Sequence, residues 1–242
     1  MSKFSKCNLF VVRHGESQGN ALGLWQGHKD YTLTKKGNQQ ALLTKEYLSG
    51  TYFDKLQTSD LTRAIQTTEI IKSDHLKSIE VESKWKELNF GCWEGKSSLE
   101  INRGAEILNF WYQNPTKAKI PGGETFLQLQ KRVVEAYDSL YKQIQTSKSA
   151  NVLLVAHGGS IRVLGCYLAG IPLSNLWRLG VNHCSITRIS ITNRRHTIIA
   201  WNQTSHLRNM GLEYHWITTR LQRYLKSKYT RKRPQKVRAT QD

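Results

Sequence analysis

The sequence predicts an α/β protein: a three-layer α/β/α sandwich with a mostly parallel central sheet and a small cap segment. Short apolar runs rich in β-branched residues, such as residues 8–12 and 152–156, alternate with longer segments of helical periodicity. This alternation is typical of a parallel sheet covered by helices on both faces. The length of 242 residues suits one such domain, and no internal repeat interrupts it.

Each strand and helix is predicted from the residue pattern of its own segment. The predicted strands and helices are strand 8–12, helix 36–48, strand 56–59, helix 61–72, strand 78–82, helix 125–145, strand 152–156, helix 160–168 and strands 185–191 and 197–202. Asp60 and Ser160 are predicted N-caps because their side chains can accept from the first free backbone N–H groups of a helix. Gly170 followed by Pro172 predicts the end of the helix at 160–168.

Charged side chains follow two of the apolar runs. Arg13-His14-Gly15-Glu16 comes after residues 9–12, and His157-Gly158-Gly159-Ser160 comes after residues 151–156. Open α/β sheets bind ligands at the carboxyl ends of their strands, so both histidines are expected at one edge. An arginine beside a histidine can handle phosphate, because arginine grips the anion with a fork of donors and histidine can accept a phosphoryl group.

Two further charged residues lie between these motifs. Arg63 follows Ser59-Asp60-Leu61-Thr62 and falls in the first turn of a predicted helix, where backbone N–H groups already favour an anion. Glu87 precedes a turn-rich segment. Each of these residues alone is more often an ordinary surface or core residue, and only their joint pattern indicates a site.

The joint pattern resembles the histidine phosphatase superfamily, also called phosphoglycerate mutase-like, over about residues 8–203. The matching motifs are Arg13-His14-Gly15-Glu16-Ser17 with Asn20, Gln26-Gly27, Ser59-Asp60-Leu61 with Arg63, Glu87-Leu88, Pro121-Gly122-Gly123-Glu124, and Ala156-His157-Gly158-Gly159. Their order and spacing favour the family far more than any single motif would.

The resemblance implies a role for each matched residue. His14 would attack phosphorus and become phosphohistidine, and Glu87 would protonate the leaving oxygen and then deprotonate water. The groups implied to bind the phosphoryl group and substrate are Arg13, Asn20, Arg63, His157, Gly158, Gln26 and Gly27. Fixed cationic donors suit the negative charge of the transferred group. The resemblance implies no metal and no cofactor.

The segment 91–123 bears on the reaction type, because in the family this stretch forms part of a cap over the phosphate site. Mutases of the family carry a longer insertion there, whereas the segment is compact here. The sequence therefore favours the phosphatase branch, acting on a small phosphorylated metabolite. Two alternatives to a phosphatase stay open. One is an enzyme that carries out mutase-type phosphoryl transfer, and the other is a weakly catalytic binding or regulatory module on the same scaffold.

The remaining histidines and tryptophans gain no such support from spacing. The other six histidines are predicted to be structural or exposed: His28, His75, His183, His196, His206 and His215. Trp85, Trp93 and Trp111 are predicted packing residues. Four scattered cysteines form neither a CxxC pair nor a metal-ligand spacing, which favours reduced thiols in a cytoplasmic protein.

The charge of the chain is strongly positive, at +18. Residues 217–242 carry nine of the Lys and Arg residues and one acid. We predict one domain over residues 1–226 and a basic, disordered tail over 227–242, preceded by an apolar helical face at 213–225. The tail is either merely solvated or binds polyanions weakly and without specificity. No run is long enough for a membrane helix, and the sequence carries no prediction of oligomeric state.

Overall fold

The computed structural model describes residues 6–76, 78–101, 107–147, 150–192 and 195–210. All of them lie in the first of two units into which the chain divides after Met210. His215, the apolar face at 213–225, the boundary after 226 and the basic tail at 227–242 lie outside the described residues.

The strands form two sheets. In chain order they are β1 (Lys6–Arg13), β2 (Leu24–Trp25), β3 (Lys55–Thr58), β4 (Glu80–Val81), β5 (Lys96–Ser97), β6 (Asn151–Ala156), β7 (Ile186–Thr192) and β8 (Arg195–Gln203). The central sheet has the order β4-β3-β6-β1-β7-β8, and β2 pairs with β5 apart from it. The first four strands of the central sheet are mutually parallel, while β7 is antiparallel to both of its neighbours. The prediction of a mostly parallel central sheet is confirmed.

The helices cover the sheet in two layers. They are α1 (Gln18–Ala21), α2 (Lys35–Leu48), α3 (Thr62–Ile71), α4 (Ser98–Ile101), α5 (Ile107–Gln113), α6 (Phe126–Ser147) and α7 (Gly158–Ala169). Helix α2 packs on α3, and α6 packs on α7. Among the described helices, none combines the length and apolar character that crossing a membrane requires.

The central strands are buried on both faces, as their continuous apolar runs predict. In β1, Leu9, Val11 and Val12 are fully buried, and Phe10 and Val12 belong to the cluster that also holds residues of α2, α3 and β6. Because successive side chains of a strand point to opposite faces, burial at consecutive positions requires a layer on each side. Both faces of these strands are therefore covered by other parts of the fold.

The long periodic elements agree with the sequence prediction, with ends displaced by at most two residues. The strand predicted at 78–82 is shorter and comprises only Glu80–Val81. The sequence did not predict α1, β2, α4, β5 or α5, because they are too short to show a period. Four 3-10 segments also lie outside the predicted elements: Ser83–Trp85, Gly91–Trp93, Leu173–Arg178 and Ser205–Met210.

Two predicted helix caps are wrong. The N-terminus of α3 is capped by Asp30 from a distant loop, whose carboxylate accepts from the Thr62 N–H at 2.9 and 3.0 Å. Asp60 pairs instead with Lys86 Nζ at 2.9 Å. Helix α7 begins two residues before Ser160, whose hydroxyl donates to the backbone carbonyl of Lys86 at 2.6 Å. The predicted end of α7 is confirmed, because Gly170 is left-handed with φ of 64°.

Candidate active site

The two motif histidines meet at one edge of the central sheet. Parallel strands β1 and β6 pair with Arg13 opposite Ala156, so His14 and His157 follow at the same level. The His14 N–H donates to the Ala156 carbonyl at 3.0 Å. The two ring centroids are 5.0 Å apart, and both side chains are buried. This is the carboxyl edge at which α/β sheets place their ligands.

The tautomer of His14 is fixed by its own neighbour. Its Nδ1 lies 2.7 Å from the backbone carbonyl oxygen of Gly15. A carbonyl only accepts, so Nδ1 carries the proton and Nε2 keeps a free lone pair. Burial, followed by the charges of His157, Arg63 and Arg13, holds the pKa of His14 well below its ordinary value. The ring is therefore neutral at pH 7 and has a nucleophilic nitrogen.

The two motif arginines are held by backbone carbonyls. Arg63, in the first turn of α3, donates to the carbonyls of Gly27 at 2.7 Å and Lys29 at 3.3 Å. Arg13 donates from Nη1 to the carbonyl of Val181 at 2.8 Å. Both side chains are buried. Because their guanidinium groups are anchored in this way, neither is an ordinary surface cation.

Three buried nitrogen atoms of the motif arginines and histidines have no hydrogen-bond partner among the described residues: Arg13 Nε, Arg63 Nε and His157 Nδ1. Arg13 and Arg63 lie close enough to both histidine rings to lower the pKa of each, after burial. We call Arg13, His14, Arg63 and His157 the anion site. Buried donors without partners are costly, by about 1–3 kcal/mol each and more when charged, unless a ligand satisfies them.

Glu87 lies beside the anion site at the start of α7. Its carboxylate accepts from the Gly159 N–H at 2.9 Å and from the Leu88 N–H at 2.8 Å. Burial lowers the pKa of both Arg13 and Arg63, and the negative charge of the nearby Glu87 carboxylate partly opposes that lowering. A Cβ atom on Gly159 would lie 2.2 Å from Glu87 Oε1, so only glycine leaves room for this carboxylate.

The three substrate-binding residues predicted from the loop after β1 have different surroundings. Asn20 Oδ1 accepts from the Ser17 N–H at 3.1 Å, while its Nδ2 donates to no described residue. Gln26 is buried, and its Oε1 lies 2.6 Å from Ser17 Oγ. Gly27 is left-handed with φ of 54° and supplies the carbonyl that holds Arg63. Asn20 thus offers a free donor, whereas Gln26 and Gly27 shape the loop.

Glu94 organises this loop from the cap segment. Its carboxylate accepts backbone N–H groups from His28 at 2.7 Å, Lys29 at 2.9 Å and Phe90 at 3.1 Å. Both carboxylate oxygens are engaged as acceptors, so the side chain is held in one position. The loop that it fixes carries the two carbonyls to which Arg63 donates.

The cap segment contains α4, β5 and α5 and is anchored by aromatic packing. Trp25 of β2 contacts Trp93 at 5.6 Å and Trp111 at 5.2 Å between ring centroids. The predicted packing role of Trp85, Trp93 and Trp111 agrees with their burial. Residues 102–106 of this segment are outside the described residues.

Three residues at the site were not identified from the sequence. His183 is buried with its ring centroid 5.8 Å from that of His14, and His28 Nε2 lies 3.0 Å from the Glu87 carbonyl oxygen. Arg162 lies next to Arg13. Burial of Arg13 and, second, the positive charge of Arg162 lower the pKa of Arg13 to about 9. Only the HxxxxR spacing from His157 could have drawn attention to Arg162.

The other histidines serve the fold, as predicted. His75 Nε2 lies 3.1 Å from the Phe53 carbonyl oxygen, and His206 Nε2 lies 3.1 Å from that of Cys184. His196 Nε2 lies 2.6 Å from the hydroxyl of Tyr137. Among the described residues, no group of three or more His, Cys, Asp or Glu is arranged to hold a metal ion.

Residues 9–204 match the family model of the histidine phosphatase superfamily, branch 1. The chain belongs to the histidine phosphatase superfamily. Phosphoserine phosphatase 1 of Hydrogenobacter thermophilus is 31% identical over 209 residues, which cover 86% of this chain and 97% of that protein. A relative from Salmonella choleraesuis that carries a phosphoglycerate mutase name is 33% identical over 194 residues, 80% of this chain and 89% of its own length.

The solved structures agree with this membership. The α-ribazole phosphatase from Shigella flexneri superposes with a TM-score of 0.74 at 29% identity, covering 81% of this chain and 96% of that one. The family and the phosphatase names among the relatives support a phosphatase. The resemblance stated from the motifs is therefore confirmed at the level of the superfamily.

Proposed function

We propose that this histidine phosphatase superfamily member is a metal-independent phosphomonoesterase that forms a phosphohistidine on His14 and acts on small phosphorylated metabolites. One observation carries the proposal: three buried nitrogen atoms without partners among the described residues, Arg13 Nε, Arg63 Nε and His157 Nδ1, belong to residues that lie near a neutral histidine with a free Nε2. A phosphoryl group supplies acceptors for the two arginine donors and an electrophile for that nitrogen. It also supplies an acceptor for His157 Nδ1 in the tautomer in which the Ser59 hydroxyl, 2.8 Å from Nε2, donates to Nε2.

In the first step, the Nε2 lone pair of His14 attacks phosphorus. The N–P bond forms as the P–O bond to the leaving group breaks, and Glu87 in its acid form gives that oxygen a proton. Arg13, Arg63 and His157 bind the phosphoryl oxygens, and Asn20 Nδ2 adds a neutral donor. Fixed cations lower the barrier because negative charge is carried on these oxygens in the transition state.

In the second step, water attacks the phosphohistidine. Glu87, now a carboxylate, takes a proton from the water as its oxygen bonds to phosphorus. The N–P bond breaks and its electron pair returns to His14 Nε2. Phosphate leaves, and both His14 and the acid form of Glu87 are restored. One carboxyl group thus acts as acid and then as base.

Mutase activity is the second candidate, favoured by the relative with a phosphoglycerate mutase name. In that reaction the phosphohistidine passes its phosphoryl group to a substrate hydroxyl rather than to water. A binding module without catalysis is the weaker hypothesis, because the anion site and Glu87 are all retained.

Rapid quench with a radiolabelled phosphomonoester tests the mechanism. We expect acid-labile, base-stable label on the wild-type protein, full turnover in EDTA and no label on His14→Ala. His75→Ala is the matched control, because His75 stacks on Tyr52 outside the site. Near-normal turnover by His14→Ala, or loss of activity in EDTA, contradicts the proposal. Label that appears in an isomeric ester instead of free phosphate identifies a mutase.

A further inference from the structure

The segment that carries Glu87 has little regular structure of its own. Residues 83–85 form a single 3-10 turn, and residues 86–90 lie in neither a helix nor a strand. The backbone carbonyls of such a segment have no helix or sheet ladder to satisfy them, so donors from other elements must do so. The position of Glu87 is therefore set by whichever side chains supply those donors.

Arg132 of α6 binds three carbonyls of this segment. Its Nη1 donates to the Lys84 carbonyl at 2.8 Å and to the Lys86 carbonyl at 2.9 Å. Its Nη2 donates to the carbonyl of Glu87 itself at 2.7 Å. One planar guanidinium thus fixes the backbone at Glu87 and at the residue immediately before it.

Glu124 fixes the same guanidinium from the other side. Arg132 Nε donates to Glu124 Oε1 at 2.7 Å, and Nη2 donates to Oε2 at 2.8 Å, which makes a bidentate ion pair. Glu124 Oε2 also accepts from the Asn89 N–H at 2.9 Å. The two side chains are only 18% and 20% exposed. Arg132 and Glu124 therefore act together and bind the segment on both sides of Glu87.

Arg132 lies close to the anion site but has no donor left for a substrate. The pKa of His157 is lowered by burial and then by neighbouring arginine charges, that of Arg132 among them. All five N–H groups of Arg132 are used in the contacts to the three carbonyls and to Glu124. Arg13 and Arg63, in contrast, each have a buried Nε without a partner among the described residues.

We infer that Arg132 and Glu124 are positioning residues for the acid and base chemistry of Glu87. The inference rests on the proposed function and deepens it. Arg132 holds the backbone of Glu87, while the Gly159 N–H holds its carboxylate at 2.9 Å. A general acid has to lie within hydrogen-bond reach of the oxygen that it protonates, so a shift of this backbone impairs proton transfer. Binding of the phosphoryl group does not depend on this contact.

Arg132→Gln tests this role through the leaving group of the substrate. Phosphohistidine formation from glycerol 3-phosphate in single turnover should slow by about tenfold to a hundredfold, as a displaced catalytic group predicts. p-Nitrophenyl phosphate needs little protonation of its leaving group and should slow by less than about threefold. The substrate concentration that gives half the maximal rate should stay unchanged for both esters. Lys131→Gln removes the same charge from an exposed position of α6 and should alter neither rate.

Two further variants separate hydrogen bonding from charge and from loss of the fold. Glu124→Gln keeps the shape of the side chain and one acceptor oxygen, so it should show the same selectivity with a smaller loss. Arg132→Lys keeps the charge but cannot make five hydrogen bonds in one plane, so it should resemble Arg132→Gln. Wild-type rates in Arg132→Lys, or equal losses for the two esters in these variants, overturn the inference.

Coupling to Glu87 separates this inference from the proposed function. In the Glu87→Gln protein, adding Arg132→Gln should lower steady-state kcat for glycerol 3-phosphate by less than about twofold, whereas independent roles would give additive losses. Without substrate, the Leu88 and Gly159 N–H groups, which donate to the Glu87 carboxylate, should exchange hydrogen faster in Arg132→Gln than in Lys131→Gln.

The outcomes of these experiments differ for the two ideas. If His14→Ala keeps its turnover while the coupling and the faster exchange are both observed, only the proposed function fails. If His14 is labelled but the losses are additive, or if exchange at Gly159 is unchanged, only the positioning role fails.

Discussion

His14 shows how a single residue is prepared for chemistry by its immediate surroundings. The Gly15 carbonyl fixes its tautomer, and burial together with neighbouring cations keeps the ring neutral. The arginines among these neighbouring cations can also bind an anion, because Arg13 and Arg63 each have a buried Nε without a partner among the described residues. The residue that attacks and the residues that bind are thus set by separate contacts, which makes their contributions separable by mutation.

Glu87→Gln should separate acid catalysis from binding. The amide keeps the shape of the side chain but carries no proton to donate, so phosphohistidine formation from glycerol 3-phosphate should slow by about a hundredfold or more. p-Nitrophenyl phosphate should lose much less, because its leaving group needs little protonation. Single-turnover rates of phosphohistidine formation measure both effects.

Glu135→Gln is the matched control for this experiment, because Glu135 is an exposed carboxylate of α6 that pairs with Lys84. It should leave both rates unchanged. Equal losses for the two substrates in Glu87→Gln would assign the acid role to another group.

At the scale of elements, the site depends on contacts that join different parts of the chain. Asp30 caps α3 from the loop before α2, and Glu94 of the cap segment holds the loop that anchors Arg63. Gly159 gives the first turn of α7 the room that Glu87 occupies. The geometry of the anion site is therefore set by loops and helix ends as well as by the sheet.

Glu94→Ala should reduce kcat through Arg63, because three backbone N–H groups would lose their acceptor and the loop would shift. A displacement of an anchored cation by about 1 Å can lower the rate by about a hundredfold. The test is a double-mutant cycle with Arg63→Ala. Glu94→Ala should lower kcat by a much smaller factor in the Arg63→Ala protein than in the wild type. Glu94→Gln, which keeps one acceptor oxygen, should restore part of the rate. Fully additive losses would mean that Glu94 acts independently of Arg63.

At the scale of the molecule, the buried site makes folding depend on pH. His14 and His157 have pKa values held well below the ordinary value, first by burial. Below about pH 6.5 the unfolded chain protonates these histidines while the folded chain does not. The unfolded state then binds more protons, so stability should fall as the pH falls, by at most about 1.4 kcal/mol per pH unit for each histidine.

His14→Gln should weaken this pH dependence. Urea unfolding between pH 7 and pH 5 should give a shallower loss of stability than in the wild type, because one histidine no longer takes up a proton on unfolding. Comparison at pH 8, where histidine is neutral in both states, isolates the change in packing. An identical slope in the two proteins would show that His14 is protonated in the folded state as well.

The large features of this protein could be predicted from its residue pattern. Apolar runs such as 9–12 and 151–156 predicted the buried strands, because burial on both faces demands continuous apolar residues. The residues that follow those runs, His14 and His157, were placed at one sheet edge by the rule that parallel strands end together. The motifs around these residues carried the resemblance to the family, and the resemblance implied the candidate nucleophile, acid and cations.

The assembly of the site depends on contacts between distant parts of the chain, which no local pattern predicts. His183 lies beside His14 and Arg162 lies beside Arg13, because the segment before β7 and helix α7 fold against the end of β1. No periodicity in the local sequence predicts such contacts. Asp30, rather than Asp60, caps α3, because a carboxylate from a distant loop reaches the free N–H groups. Residues far apart in the chain interact through space, so packing and electrostatics between them appear only after the chain has folded.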